Sequence, residues 1–126
     1  MSIRLMGPGG AADALPGVDI DADVVARAAA KIALEVKGVL ELENAFSDGV
    51  AAALGRDGHA RGVRVSPEPD GCVMHVGAVA KYGENIPEIA WNLQEHIRKN
   101  VEDIIGVRVK KVNILITGVR DVSAPQ

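Results

Sequence analysis

A chain of 126 residues is long enough for one domain with a single modest core. Its 48% hydrophobic and 25% charged residues are ordinary for a globular protein, and a net charge of −3 gives no general attraction to nucleic acid or anionic membrane. Phe46, Tyr82 and Trp91 are its only aromatic residues, so it has few rings for stacking bases or sugars.

The opening stretch, "MSIRLMGPGGAADALPG", has no hydrophobic region with a cleavage site and reads as a flexible leader over residues 1–19. From Ile20 the pattern changes. Asp21 is placed to cap a helix, Asp23 suits its first turn, and Val25, Ala28 or Ala29, Ile32 and Val36 form one apolar stripe. Gly38 is a natural stop. "VLELEN" then alternates, with Leu40 and Leu42 on one face and Glu41 and Glu43 on the other, as a half-buried strand does. "SDGVAAALG" suits one or two helical turns, and "RDGHARG", which holds His59, reads as loop.

"GVRVS", the turn "PEPDG" and "CVMHVGAVAKYG" read as a β-hairpin. A long helix follows from about Ile86 to Ile105, with a stripe of Ile86, Ala90, Leu93, Ile97, Val101 and Ile104. If Asn85 caps it, Pro87 falls in the first turn, where its missing N–H does no harm. Gly106 ends it. In "VRVKKVNILITGV" the apolar parity shifts between Val109 and Val112, which predicts a bulge near Lys110 and Lys111. The expected fold is α+β in the order α-β-β-β-α-β: one domain over residues 20–120 with a tail at 121–126, a mostly antiparallel sheet, and both helices on one face.

No constellation calls for catalysis, a cofactor or a metal. Cys72 is the lone cysteine, so it excludes an intrachain disulfide and fits a reducing compartment. Cys72 and His75 sit three apart on a strand and therefore point to opposite faces, while His96 lies on the polar side of the long helix. Glu41 and Glu43 share a face, as solvated strand glutamates also do. "GPGG" and "GRDGHARG" do not open a helix after a strand in the manner of a phosphate loop. Arg108, Lys110 and Lys111 form a basic patch that an RNA-binding module of the KH kind could use; "GENI" lacks that module's second glycine and basic middle, so nucleic acid is disfavoured.

The sheet offers a better lead. If Ile114 and Ile116 face the helices, then Asn113, Leu115, Thr117 and Val119 face away, and Val79 joins them from the hairpin. Apolar residues would then lie where a monomer wants polar ones, which predicts self-association or docking through Val79, Leu115, Thr117 and Val119. Tyr82 and Trp91, at the joint before the long helix, are further contact candidates.

"VARAAAKIALEVKGVLELE", "RGVRV" and "VAKYGENIPEIAWNLQEHIRKNVEDIIGVRVKKVNILITGV" together resemble the bacterial alkaline shock protein family over about Ile20 to Val119. The resemblance implies a small cytoplasmic α+β protein without catalytic activity, linked with envelope homeostasis and general stress. It further implies peripheral membrane attachment through a membrane-anchored protein partner, as some members have, while the outward sheet face predicts a homo-oligomer. No run approaches the roughly 18 apolar residues of a spanning helix, so direct membrane insertion is not expected.

Overall fold

A computed structural model describes residues 2–7, 11–45 and 57–122. The segment from 47 to 55, expected to add helical turns, lies outside the described residues, as does the end of the tail. The elements are β1 (Ser2–Gly7), β2 (Ala11–Asp21), α1 (Ala22–Ala33), β3 (Val39–Leu42), β4 (Gly58–Ala60), β5 (Val63–Glu68), β6 (Gly71–Lys81), α2 (Ile86–Asn100) and β7 (Val109–Arg120). The class is α+β as expected, with strands β1, β2 and β4 added to the expected order.

Residues 1–19 were expected to be a flexible leader, but β1 pairs with β2 as an antiparallel ribbon. Ile3 from this ribbon is buried in the core, Arg4 pairs with Asp19, and the Met6 N–H donates to the Gly106 carbonyl at 2.7 Å. The alternation of "SIRLM" is short and runs straight into Gly and Pro residues, which hid a strand whose partner begins four residues after it ends.

The main sheet is built on β6. One long edge of β6 pairs with β5 at residues 71–76 and with β3 at residues 78–80, both antiparallel, and β4 extends β5. The other edge pairs in parallel with β7 along its whole length, α2 being the crossover. His59, expected in a loop, sits in β4.

Both helices lie on one face of this sheet. The Asp21 carboxylate accepts from the Asp23 N–H at 2.8 Å and caps α1. The small buried residues Ala22, Ala26, Ala29 and Ala33 let α1 come close to β4 and β5. Gly58 permits this contact, since a Cβ there would overlap the Ala22 backbone. Asn85 caps α2 by accepting from the Glu88 N–H at 3.0 Å, and Pro87 falls in the first turn. Ile89, Leu93 and Ile97 bury one stripe of α2 over Met74, Val76 and Val112, each such side chain contributing about 1.5–3 kcal/mol.

After Asn100 the helix widens into a π-helical turn, Val101–Ile105, ended by Gly106 at φ 83°. The expected stripe runs through this turn and therefore fails at its end: Val101 is buried but Ile104 is 71% exposed.

Candidate interaction surface

The face of the sheet away from the helices carries the odd-numbered residues of β6. Cys72, Met74, Val76, Ala78 and Ala80 are fully buried beneath the helices, which leaves Val73, His75, Gly77, Val79 and Lys81 on the open side. The predicted bulge is present: Cys72 pairs with Val109 but Val73 with Lys111, so Lys110 is the extra residue. Beyond it Val112, Ile114 and Ile116 pack toward the core, while Lys111, Asn113 and Leu115 stand on the open face.

A second register shift changes the expected surface. Ala78 pairs with Ile116 but Val79 with Gly118, which makes Thr117 another extra residue. The Thr117 hydroxyl donates to the Ala78 carbonyl at 3.3 Å. The parity of β7 therefore reverses, and Val119, beside Ala80, does not share a face with Leu115. Val119 is half exposed all the same. A single parity shift had been read from the sequence because "LITGV" gives no apolar signal at Thr117-Gly118.

Val79 differs most from the expectation, being only 3% exposed. It lies on the open face, between Glu41 of β3 and Gly118 of β7. The Arg120 guanidinium reaches across the central strand to Glu41 at 3.2 Å, and this ion pair spans the position where Val79 sits. Next to it, Gly77 is covered by the chain at Glu43 to Ala45. Leu115, by contrast, is 45% exposed.

A polar row crosses the same face, with His59 beside Arg64, Arg64 beside His75 and His75 beside Asn113. Arg64 lies 3.5 Å from Asp57. The Asn113 amide nitrogen contacts His75 Nδ1 at 3.3 Å, a contact that needs Nδ1 unprotonated. Burial, then the nearby Arg64 charge, holds the His75 pKa below its ordinary value, against the pull of Asp57.

The basic patch is divided. Lys110 is 3.0 Å from Asp70 and 3.6 Å from Glu68 in the β5–β6 turn. Its hydrogen bond to Asp70 raises the Lys110 pKa and lowers that of Asp70. Lys111 points from the open face, and Arg108 packs against Gly71. The three cations thus form no shared surface.

Nor do the described residues gather catalytic groups. Cys72 is buried, and burial, followed by Glu102 and Glu68, pushes its thiol up to about 12. His96 ties α2 to the turn after α1, with Nε2 at 2.8 Å from Glu35 and Nδ1 at 3.1 Å from the Asn100 amide, so one tautomer serves both contacts. Among the described residues no three His, Cys, Asp or Glu side chains could hold a metal ion, and no helix is long and apolar enough to cross a membrane. A groove of about 410 Å³ between α1 and β3, with Leu34 and Leu40 in its wall and Arg61 at its rim, has no nucleophile with an adjacent base.

Large exposed side chains lie instead around α2 and β7. Tyr82 and Trp91 are 68% and 62% exposed, the first where β6 ends and the second on α2. The Gln94 amide donates to the Val112 carbonyl at 3.0 Å, and the Val109 N–H donates to Glu102 at 2.9 Å. One flank of α2 therefore overlooks β7. Helical geometry puts Trp91 and Arg98 on that flank with Gln94. Sequence reading found Trp91 and Leu115, and missed Gln94, Arg98 and the free edge of β7, because polar helix residues look alike until a strand edge lies beneath them.

The fold defines a small single α+β domain with exposed apolar side chains at Tyr82, Trp91 and Leu115. The family model described as "Asp23 family, cell envelope-related function" matches residues 11–121. The chain belongs to that family, in agreement with the alkaline shock protein resemblance of its motifs (the family's name has no connection with residue 23). The chain is 33% identical over 103 residues to the uncharacterized protein YqhY of Bacillus subtilis, covering 82% of this chain and 76% of that protein. With the uncharacterized YloU of the same organism it shares 31% over 105 residues, covering 82% and 88%. Spy1614 of Streptococcus pyogenes, also uncharacterized, is 28% identical over 105 residues, covering 82% and 87%. No solved structure matches.

Proposed function

We propose that the chain works without catalysis, as a stress-response protein of cell-envelope homeostasis that acts by self-association and by docking to other proteins. It is held at the cytoplasmic side of the envelope through a membrane-anchored partner. The exposed Leu115 on the open face and Trp91 on α2, on either side of the β7 edge, with Tyr82 where β6 ends, support this reading, because large exposed apolar groups on a small domain favour contact with another surface. Membership of a family with a cell envelope-related function supports the location.

The test is affinity capture of the tagged chain from lightly crosslinked source cells, with and without nuclease, quantifying membrane proteins and RNA together. The account predicts a dominant membrane-protein partner that survives nuclease. Enrichment of RNA or ribosomal proteins, lost on Lys110→Glu with Lys111→Glu, would overturn it.

A further inference from the structure

Among the described residues β7, a twelve-residue strand, pairs with no strand but β6, and its outer edge carries side-chain contacts from Glu102 at Val109 and from Gln94 at Val112. Alternate residues of a parallel strand direct both N–H and C=O to the same side. The Arg108 carbonyl accepts from the Cys72 N–H, toward β6, whereas Val109 bonds Glu102 of the π-helical turn and Val112 bonds Gln94 of α2 instead. Between the two bulges, Val112, Ile114 and Ile116 therefore turn their backbone groups outward. Bulges and lysines guard the ends of such an edge, leaving this short flat window as the part able to pair.

We infer that this window pairs antiparallel with the same window of a second copy, about a two-fold axis at Ile114. This rests on the self-association proposed above and names its surface. The outward residues are spaced for self-pairing: Ile114 meets Ile114 of the second copy, and Val112 meets its Ile116. Lys111 falls opposite Thr117, so no like charges oppose within the window. The order of contacts from Glu102 at Val109 to Gln94 at Val112 shows that α2 runs antiparallel to β7. The two α2 helices are then antiparallel across the axis, with Trp91 of each copy near it.

Charge fits the same arrangement. Helix α2 has Glu88 in its first turn and Arg98 and Lys99 in its last, so the acidic end of each copy faces the basic end of the other. Arg98 Nε is buried without a hydrogen-bond partner among the described residues, one helical turn beyond Gln94. On the open face, Leu115 stands beside Asn113 of the second copy.

The test is Asn113→Cys with Leu115→Cys in one chain. These positions form a non-hydrogen-bonded pair across the axis, with Cα atoms about 4.5 Å apart, within disulfide range. Within one chain the Cβ atoms of the same residues point in parallel and stay about 6.6 Å apart, beyond the roughly 4.5 Å that a disulfide spans. Cys72 is buried and does not compete. On mild oxidation the double variant is expected to form a covalent dimer with peptides linked 113 to 115, and Leu115→Lys is expected to raise the wild-type dissociation constant roughly tenfold.

An associated wild type whose double variant stays uncrosslinked, with both thiols open to alkylation, overturns the edge pairing and leaves self-association standing. A wild type that is monomeric at tens of micromolar overturns both.

Discussion

Replacing Val79 and Leu115 by aspartate separates the two open-face residues that look equivalent in sequence. Val79 is nearly buried, beside Glu41 on the strand that the Glu41–Arg120 pair crosses. Val79→Asp forfeits about 2 kcal/mol of apolar burial. It also places a carboxylate in a desolvated site next to another one; a pKa raised by about two units adds about 2.7 kcal/mol at neutral pH. The total, about 3–5 kcal/mol, is a large part of the roughly 5–15 kcal/mol that holds a domain together. Leu115 is already half exposed, and Leu115→Asp is expected to change stability by about 1 kcal/mol or less. Urea unfolding of the dilute chain, with a slope of about 1.5 kcal/mol per molar, would show midpoint losses of about 2–3 M for Val79→Asp and about 0.5 M for Leu115→Asp. Equal midpoints for the two variants would refute the assignment of Val79 to a covered position.

Gly77→Ala sets a methyl against the Glu43 carbonyl oxygen and is expected to cost about 1–3 kcal/mol, whereas Gly118→Ala, with open space around it, leaves the urea midpoint unchanged. Asn85→Ala removes the acceptor for the Glu88 N–H and lowers stability by about 1 kcal/mol, with Asn85→Asp restoring it in thermal unfolding. The folded His75 pKa is depressed below 6.5, so the unfolded chain binds the proton more readily. Its contribution is complete above that value and is lost as pH falls through it toward the folded pKa. Between pH 7.5 and 5.5, His75→Gln is therefore expected to lose less of its urea midpoint than wild type does.

Local rules held wherever one residue type decides the conformation. The caps at Asp21 and Asn85, the placing of Pro87 and the bulge at Lys110 could all be read from the sequence, since each rests on near-neighbour chemistry. Elements set by distant partners could not. The β1–β2 ribbon depends on Ile3 finding the core, and the π-helical turn that exposes Ile104 breaks the 3.6-residue period on which the stripe was drawn. The burial of Val79 depends on neighbours from the strands on both sides of it. Leu115 was legible as an outward residue from the alternation of its strand, and Trp91 as a contact candidate at the joint before α2. The open edge beside them was not, because pairing partners are a property of the sheet and not of the strand.

Sedimentation velocity on the purified wild-type chain, from dilute solution to tens of micromolar, tests self-association most directly. The account predicts a species of at least twice the 13.2 kDa chain mass that dissociates on dilution and is weakened by Leu115→Lys. A single 13.2 kDa species throughout would contradict it.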